Sequence, residues 1–104
     1  SIHIDKPWLN KNRIKSFGTE TATLNQIFYD FNFKRIELLK IDTEGCEIEI
    51  LRGGLNVLDR INNIVIEYHS EKLRQEIIAL LIKYGFRQIF EDKDIYGDLY
   101  FTRL

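Results

Sequence analysis

Apolar and polar positions along the 104-residue chain change period several times, and each change marks an element. The opening SIHIDKPWLNKNR has no sustained period and holds the sole proline, Pro7, so residues 1–20 read as an irregular segment apart from a short strand at RIKSF (13–17). In TATLNQIFYDFN (21–32), Leu24, Ile27, Phe28 and Phe31 recur at helical spacing, with Thr21 or Thr23 as N-cap. RIELLKID (35–42) is a short, mostly apolar run of the kind that forms a buried strand. GCEIEILRGG returns to helical spacing through Ile48, Leu51, Leu55 and Leu58, and Gly53 and Gly54 break or cap that helix, with a short turn at LNVLDR. NNIVIEYH (62–69) is a second strand. SEKLRQEIIALLIKYGF is the clearest helix, capped by Ser70, striped by Leu73, Ile77, Leu80 and Leu81, and stopped by Gly85. FRQIFEDK and DIYGDLYFTRL form an antiparallel hairpin across an Asp-rich turn.

Strand–helix–strand over Arg35–His69 is a unit of the usual ~30 residues, with a right-handed crossover and parallel strands. The expected fold class is α/β, with a parallel pair at one side, an antiparallel hairpin at the other, and helices on the faces. The length allows one domain, 1–104, with its core in 21–104.

Composition narrows the function classes. A formal net charge of −1 gives no electrostatic case for nucleic acid or an anionic membrane, and no apolar run approaches the ~20 residues of a membrane span. The lone Cys46 forms no internal disulfide, which makes a reducing cytoplasm the default expectation.

In open α/β sheets, ligands bind at the carboxyl ends of the strands. The first parallel strand ends in Asp42 and Glu44; the second ends in Glu67 and His69, two residues apart and so on one side of the sheet. Each residue also has a plainer reading. Asp42 or Thr43 can cap the following helix, Glu44 and Glu47 complement its positive end, and a lone histidine is often bonded to a backbone carbonyl. Two pairs from neighbouring strands on one rim favour a site. A mixed O/N set would also suit manganese, iron or zinc, but no spacing fixes a geometry.

These residues resemble the FkbM-type methyltransferases. The family's K-I-D-x-E-G-x-E stretch, L-x-G and E-x-H are matched by Lys40, Ile41, Asp42, Glu44, Gly45, Glu47, Leu51, Gly53, Glu67 and His69, and TATLNQIF resembles the family's T-L-x-x-L helix. The resemblance covers about 21–86. It implies the Rossmann-like sheet of class I methyltransferases, here its C-terminal half, with strands in the order 4-5-7-6, and S-adenosylmethionine as cofactor. It further implies Asp42, Glu44, Glu67 and His69 as catalytic residues, Asp42 and Thr43 on the cofactor side, and O-methyl transfer to a hydroxyl of a sugar or small metabolite. The family's glycine-rich cofactor loop has no counterpart: the glycines are Gly18, Gly45, Gly53, Gly54, Gly85 and Gly97, and none forms GxG. Only about 34 residues precede the fourth strand, too few for three strands and their helices. Two expectations follow. The open edge of strand 35–42 is covered by RIKSF, by a second copy in a homodimer, or by a separate chain supplying the missing half. The alternative to catalysis is a methyltransferase-fold remnant acting as an interaction module.

Overall fold

The computed structural model describes residues 2–5, 14–17, 23–42, 45–93 and 97–103. The elements are β1 (Ile2–Asp5), β2 (Ile14–Phe17), α1 (Leu24–Asp30), β3 (Ile36–Ile41), α2 (Glu47–Arg52), a 3-10 turn (Leu58–Arg60), β4 (Ile61–Tyr68), α3 (Glu71–Lys83), β5 (Phe86–Asp92) and β6 (Gly97–Arg103). They form one α/β unit around a mixed sheet in the order β2-β1-β3-β4-β6-β5. β3 and β4 are parallel, and β6 inserts antiparallel between β4 and β5. The helix at 21–32 is capped at Thr23, whose hydroxyl accepts from the Gln26 amide; Ser70 does the same for Leu73 at α3. The Asp-rich tip of the hairpin lies outside the described residues.

Two expectations are corrected. The opening segment is not wholly irregular, because Ile2–Asp5 is a strand. The edge of β3 is not open either: β1 pairs with it antiparallel, Ile2 opposite Ile41, while the RIKSF strand pairs outside β1. IHID has β-branched residues at alternate positions, and an unpaired strand edge leaves backbone groups that another strand satisfies. A dimer through that edge would have to displace β1. Gly53 is the C-cap of α2, as the sequence suggests, at φ −73°.

Register explains the core. Leu39, Ile64 and Phe101 form one row across three strands, and Ile41, Ile66 and Leu99 form the next; all six are essentially inaccessible. Ile48 and Leu51 of α2, Ile77 and Leu81 of α3, and Leu24, Ile27 and Phe28 of α1 complete the same cluster. The alternate residues point to the other face. There Lys40, Val65, Tyr100 and Phe90 make a row, and Phe90 remains 56% exposed.

One polar cluster ties α3 to the hairpin. Arg74 donates to both Glu91 carboxylate oxygens, at 3.0 and 2.7 Å, and the Tyr68 hydroxyl donates to Glu91 at 2.7 Å. The Arg74 bonds, then the Tyr68 bond, hold the Glu91 carboxyl down at about 2. A depressed carboxylate contributes stability above its unfolded value of 4.5, and that contribution is lost as pH falls toward 2. Glu91→Gln is therefore expected to cost about 2 kcal/mol at pH 7. In urea titrations at both pH values, the penalty should shrink at pH 3; a pH-independent penalty would point to packing instead.

Candidate active site at the strand carboxyl ends

The parallel register that pairs Ile41 with Ile66 brings Asp42 beside Glu67 at the ends of β3 and β4. Their carboxyl groups share a hydrogen bond. Glu67 Oε1 lies 3.6 Å from His69 Nε2, and on the far side of the ring Nδ1 lies 3.0 Å from Glu47 Oε1. Asp98 of β6 pairs in register with Glu67. Of the residues expected on the rim, Asp42, Glu67 and His69 come together. Thr43 and Glu44 lie outside the described residues.

Asp42 is not the helix cap. The N-cap of α2 is Cys46, with no side-chain cap bond, and the helix starts at Glu47. Between strand and helix the chain turns at Gly45, whose φ of +94° is strained for any residue with a Cβ. Asp42, at the end of β3, is exposed.

Two residues were missed in the sequence. Glu47 is fully buried, where helix-end complementarity would leave it in water. The visible signal was its place as the last acid of D-x-E-G-x-E. Asp98 could be found only from the register of the hairpin against β4, which the sequence does not encode locally.

The electrostatics follow from crowding. Glu67 is pushed up from the usual 4.5 to about 7, chiefly by the hydrogen bond with Asp42, then by burial and the Asp42 charge. Asp98 is raised by burial, with Lys40 opposing and Asp92 and Asp42 adding to it. Two acids this close cannot both ionise cheaply, so one proton is shared until about neutrality. The native state then holds more protons than the unfolded chain between pH 4.5 and 7, and the stability this gives at low pH is lost as pH rises through about 7. The expected slope totals on the order of 2 kcal/mol, and Glu67→Gln should flatten it in denaturation curves at pH 5 and pH 8. An unchanged slope would place the titration elsewhere.

Among the described residues, no group of three or more acids, histidines or cysteines is arranged to hold a metal ion, and no helix is long and apolar enough to cross a membrane. At the opposite end of the sheet, an open groove is lined by Asn25, Phe28, Tyr29, Asn32, Phe33, Val57 and Arg60. It lies at the amino ends of β3 and β4, away from the acids.

An α/β sheet with paired acids at the carboxyl ends of adjacent parallel strands places them where open α/β sheets bind ligands. The particular family is shown by comparison. The Methyltransferase FkbM domain matches residues 2–88, and the chain belongs to that family. It is 39% identical over 59 residues to Methyltransferase sdnD of Sordaria araneosa, covering 55% of this chain and 23% of that protein. It is 26% identical over 66 residues to Hexuronic acid methyltransferase AglP of Haloferax volcanii, covering 64% of this chain and 28% of that one. The matches thus span about a quarter of the length of these relatives. No solved structure matches the chain.

Proposed function

We propose that the rim of Asp42, Glu67 and His69 is the acceptor side of an S-adenosylmethionine-dependent methyltransferase site, acting on a hydroxyl of a sugar or small metabolite. The observation that carries this reading is the Asp42–Glu67 pair brought together at the ends of two adjacent parallel strands. In this reading β3, β4, β5 and β6 are the fourth to seventh strands of the class I sheet. The order β3-β4-β6-β5, with the last strand antiparallel in the middle, supports it.

The cofactor, when bound, supplies an electrophilic methyl group on a cationic sulfonium. The residues present fit that end of it: an acid cluster that holds a proton up to about pH 7 is a cluster short of positive charge. Asp42 complements the cation and orients the acceptor hydroxyl. His69 takes the hydroxyl proton through the ring nitrogen that faces the rim. Placing the reacting groups in line is the larger share of the work.

The half-exposed face with Val65, Tyr100 and Phe90 is the surface proposed to receive the remaining part of an FkbM domain, from the same or a separate chain, because doubly wound sheets carry helices on both faces. A homodimer built by strand addition would use the outer strands β2 or β5. The second reading, a non-catalytic interaction module, is supported by the absence of GxG from these 104 residues.

The test is transfer of a labelled methyl from S-adenosylmethionine to a uronic acid glycoside and to a neutral glycoside, by the chain alone and with the first half of a relative's domain added. A labelled methyl ether is expected with the half added. No labelled product in either case would contradict transfer and leave the module reading.

A further inference from the structure

Glu47 is the one charged residue buried completely among the described residues. Burying a carboxylate is expensive unless a partner compensates. Its Oε1 faces two groups: His69 Nδ1 at 3.0 Å and the Gly45 amide at 3.4 Å. Its Oε2 makes no hydrogen bond among the described residues, so the side chain is committed through one oxygen. His69 Nδ1 is itself buried and lies at ion-pair distance from Glu47 without the alignment of a formed hydrogen bond, while the ring as a whole is 22% exposed. The imidazole thus has an inner nitrogen against a buried carboxylate and an outer nitrogen toward the rim. Glu67, the acid that sequence spacing places beside the ring, is 3.6 Å from Nε2 and bonded to Asp42, too far to orient the ring.

We propose that Glu47 is a positioning residue: its buried carboxylate holds the His69 ring through Nδ1–H, leaving the lone pair of Nε2 presented to the rim. A carboxylate on one ring nitrogen fixes the tautomer, and so decides which nitrogen can accept a proton. Free imidazole side chains carry no such bias toward Nδ1–H, so the arrangement needs a built partner. When Nε2 accepts the proton of a hydroxyl at the rim, the imidazolium formed is balanced by Glu47 rather than left unpaired. Other acids face the site from β3 (Asp42), from β4 itself (Glu67) and from β6 (Asp98); among the described residues the acid at hydrogen-bond distance from the inner nitrogen is Glu47. The catalytic meaning of this geometry rests on the rim being the acceptor site; the tautomer itself does not.

The experiment is a long-range proton–nitrogen spectrum of the histidine rings in the nitrogen-15-labelled chain, at a pH where both rings are neutral. The chain has two histidines, His3 and His69, and the His69→Gln spectrum assigns them. The expected result is a protonated Nδ1 and an unprotonated Nε2 for His69, with the proton moving to Nε2 in Glu47→Gln. A wild-type ring protonated at Nε2 overturns the proposal, and so does a Glu47→Gln ring that keeps its Nδ1 proton. Should Glu47→Gln fail to fold, the wild-type spectrum alone decides. An Nδ1–H ring in a domain that transfers no methyl group would sink the functional reading while the Glu47–His69 pairing stood. An Nε2–H ring in an active domain would do the reverse.

Discussion

Replacing Asp42 with asparagine is expected to lower methyl transfer by the completed domain at least ~100-fold while the fold persists. Asparagine keeps the size and a hydrogen bond to Glu67 but removes the charge that the proposed function sets against a sulfonium and an acceptor hydroxyl. Stability should not suffer. Asp42 is exposed at the end of β3, and its carboxyl raises the cost of ionising Glu67. Asparagine relieves that repulsion, so urea midpoints at pH 8 should match or exceed those of the parent, within about 0.5 kcal/mol or better. The pairing of lost turnover with retained stability separates a site residue from a structural one. Turnover within a few-fold of the parent would remove Asp42 from the mechanism.

The largest effect on stability is expected from Arg103→Ala. The Arg103 guanidinium donates to the carbonyls of Leu58, of Ile61 at 3.2 Å and of Tyr84 at 2.9 Å. It also lies 4.0 Å over the Phe86 ring. One side chain on the last strand therefore ties together the 3-10 turn, the start of β4 and the end of α3. Burial pushes its guanidinium below the usual value, which marks real desolvation. Alanine would take a donor from three carbonyls, of which Leu58's keeps the Ile61 amide, and remove the cation from the ring. The expected loss is about 3 kcal/mol, read from urea or thermal denaturation. Lysine should recover little, because a point charge cannot serve three carbonyls in a fork. A loss under 1 kcal/mol would mean that water replaces Arg103. The contact sits at the amino ends of the strands, so the rim acids should titrate as before in the folded fraction.

The sequence was most legible where the pattern was local and repeated. Thr23 and Ser70 were readable as caps, the apolar runs as strands, and the parallel pairing followed from the crossover. Asp42, Glu67 and His69 were readable because strands end where the apolar run ends. Features that depend on packing were not. Ile2–Asp5 is too short to announce itself, and it becomes a strand because β3 offers an edge. Glu47 reads as a first-turn acid in any helix; only the turn at Gly45 and the proximity of His69 bring it inside. Asp98 acquires its neighbour through the β4–β6 register, a contact between residues about thirty apart in sequence that no local pattern encodes.

The central claim, that the acid rim receives the sulfonium end of the cofactor, is tested most directly by residue-resolved NMR titration. The labelled chain would be titrated with S-adenosylmethionine and, separately, with uncharged-sulfur S-adenosylhomocysteine. The predicted result is amide shifts clustered at Ile41, Asp42, Gly45, Glu67 and His69. They should be larger for the sulfonium than for the thioether, and larger at pH 8 than at pH 6, as Glu67 loses its proton near pH 7. Shifts equal for the two ligands, shifts confined to the Asn25–Arg60 groove, or no shifts at millimolar ligand would contradict it.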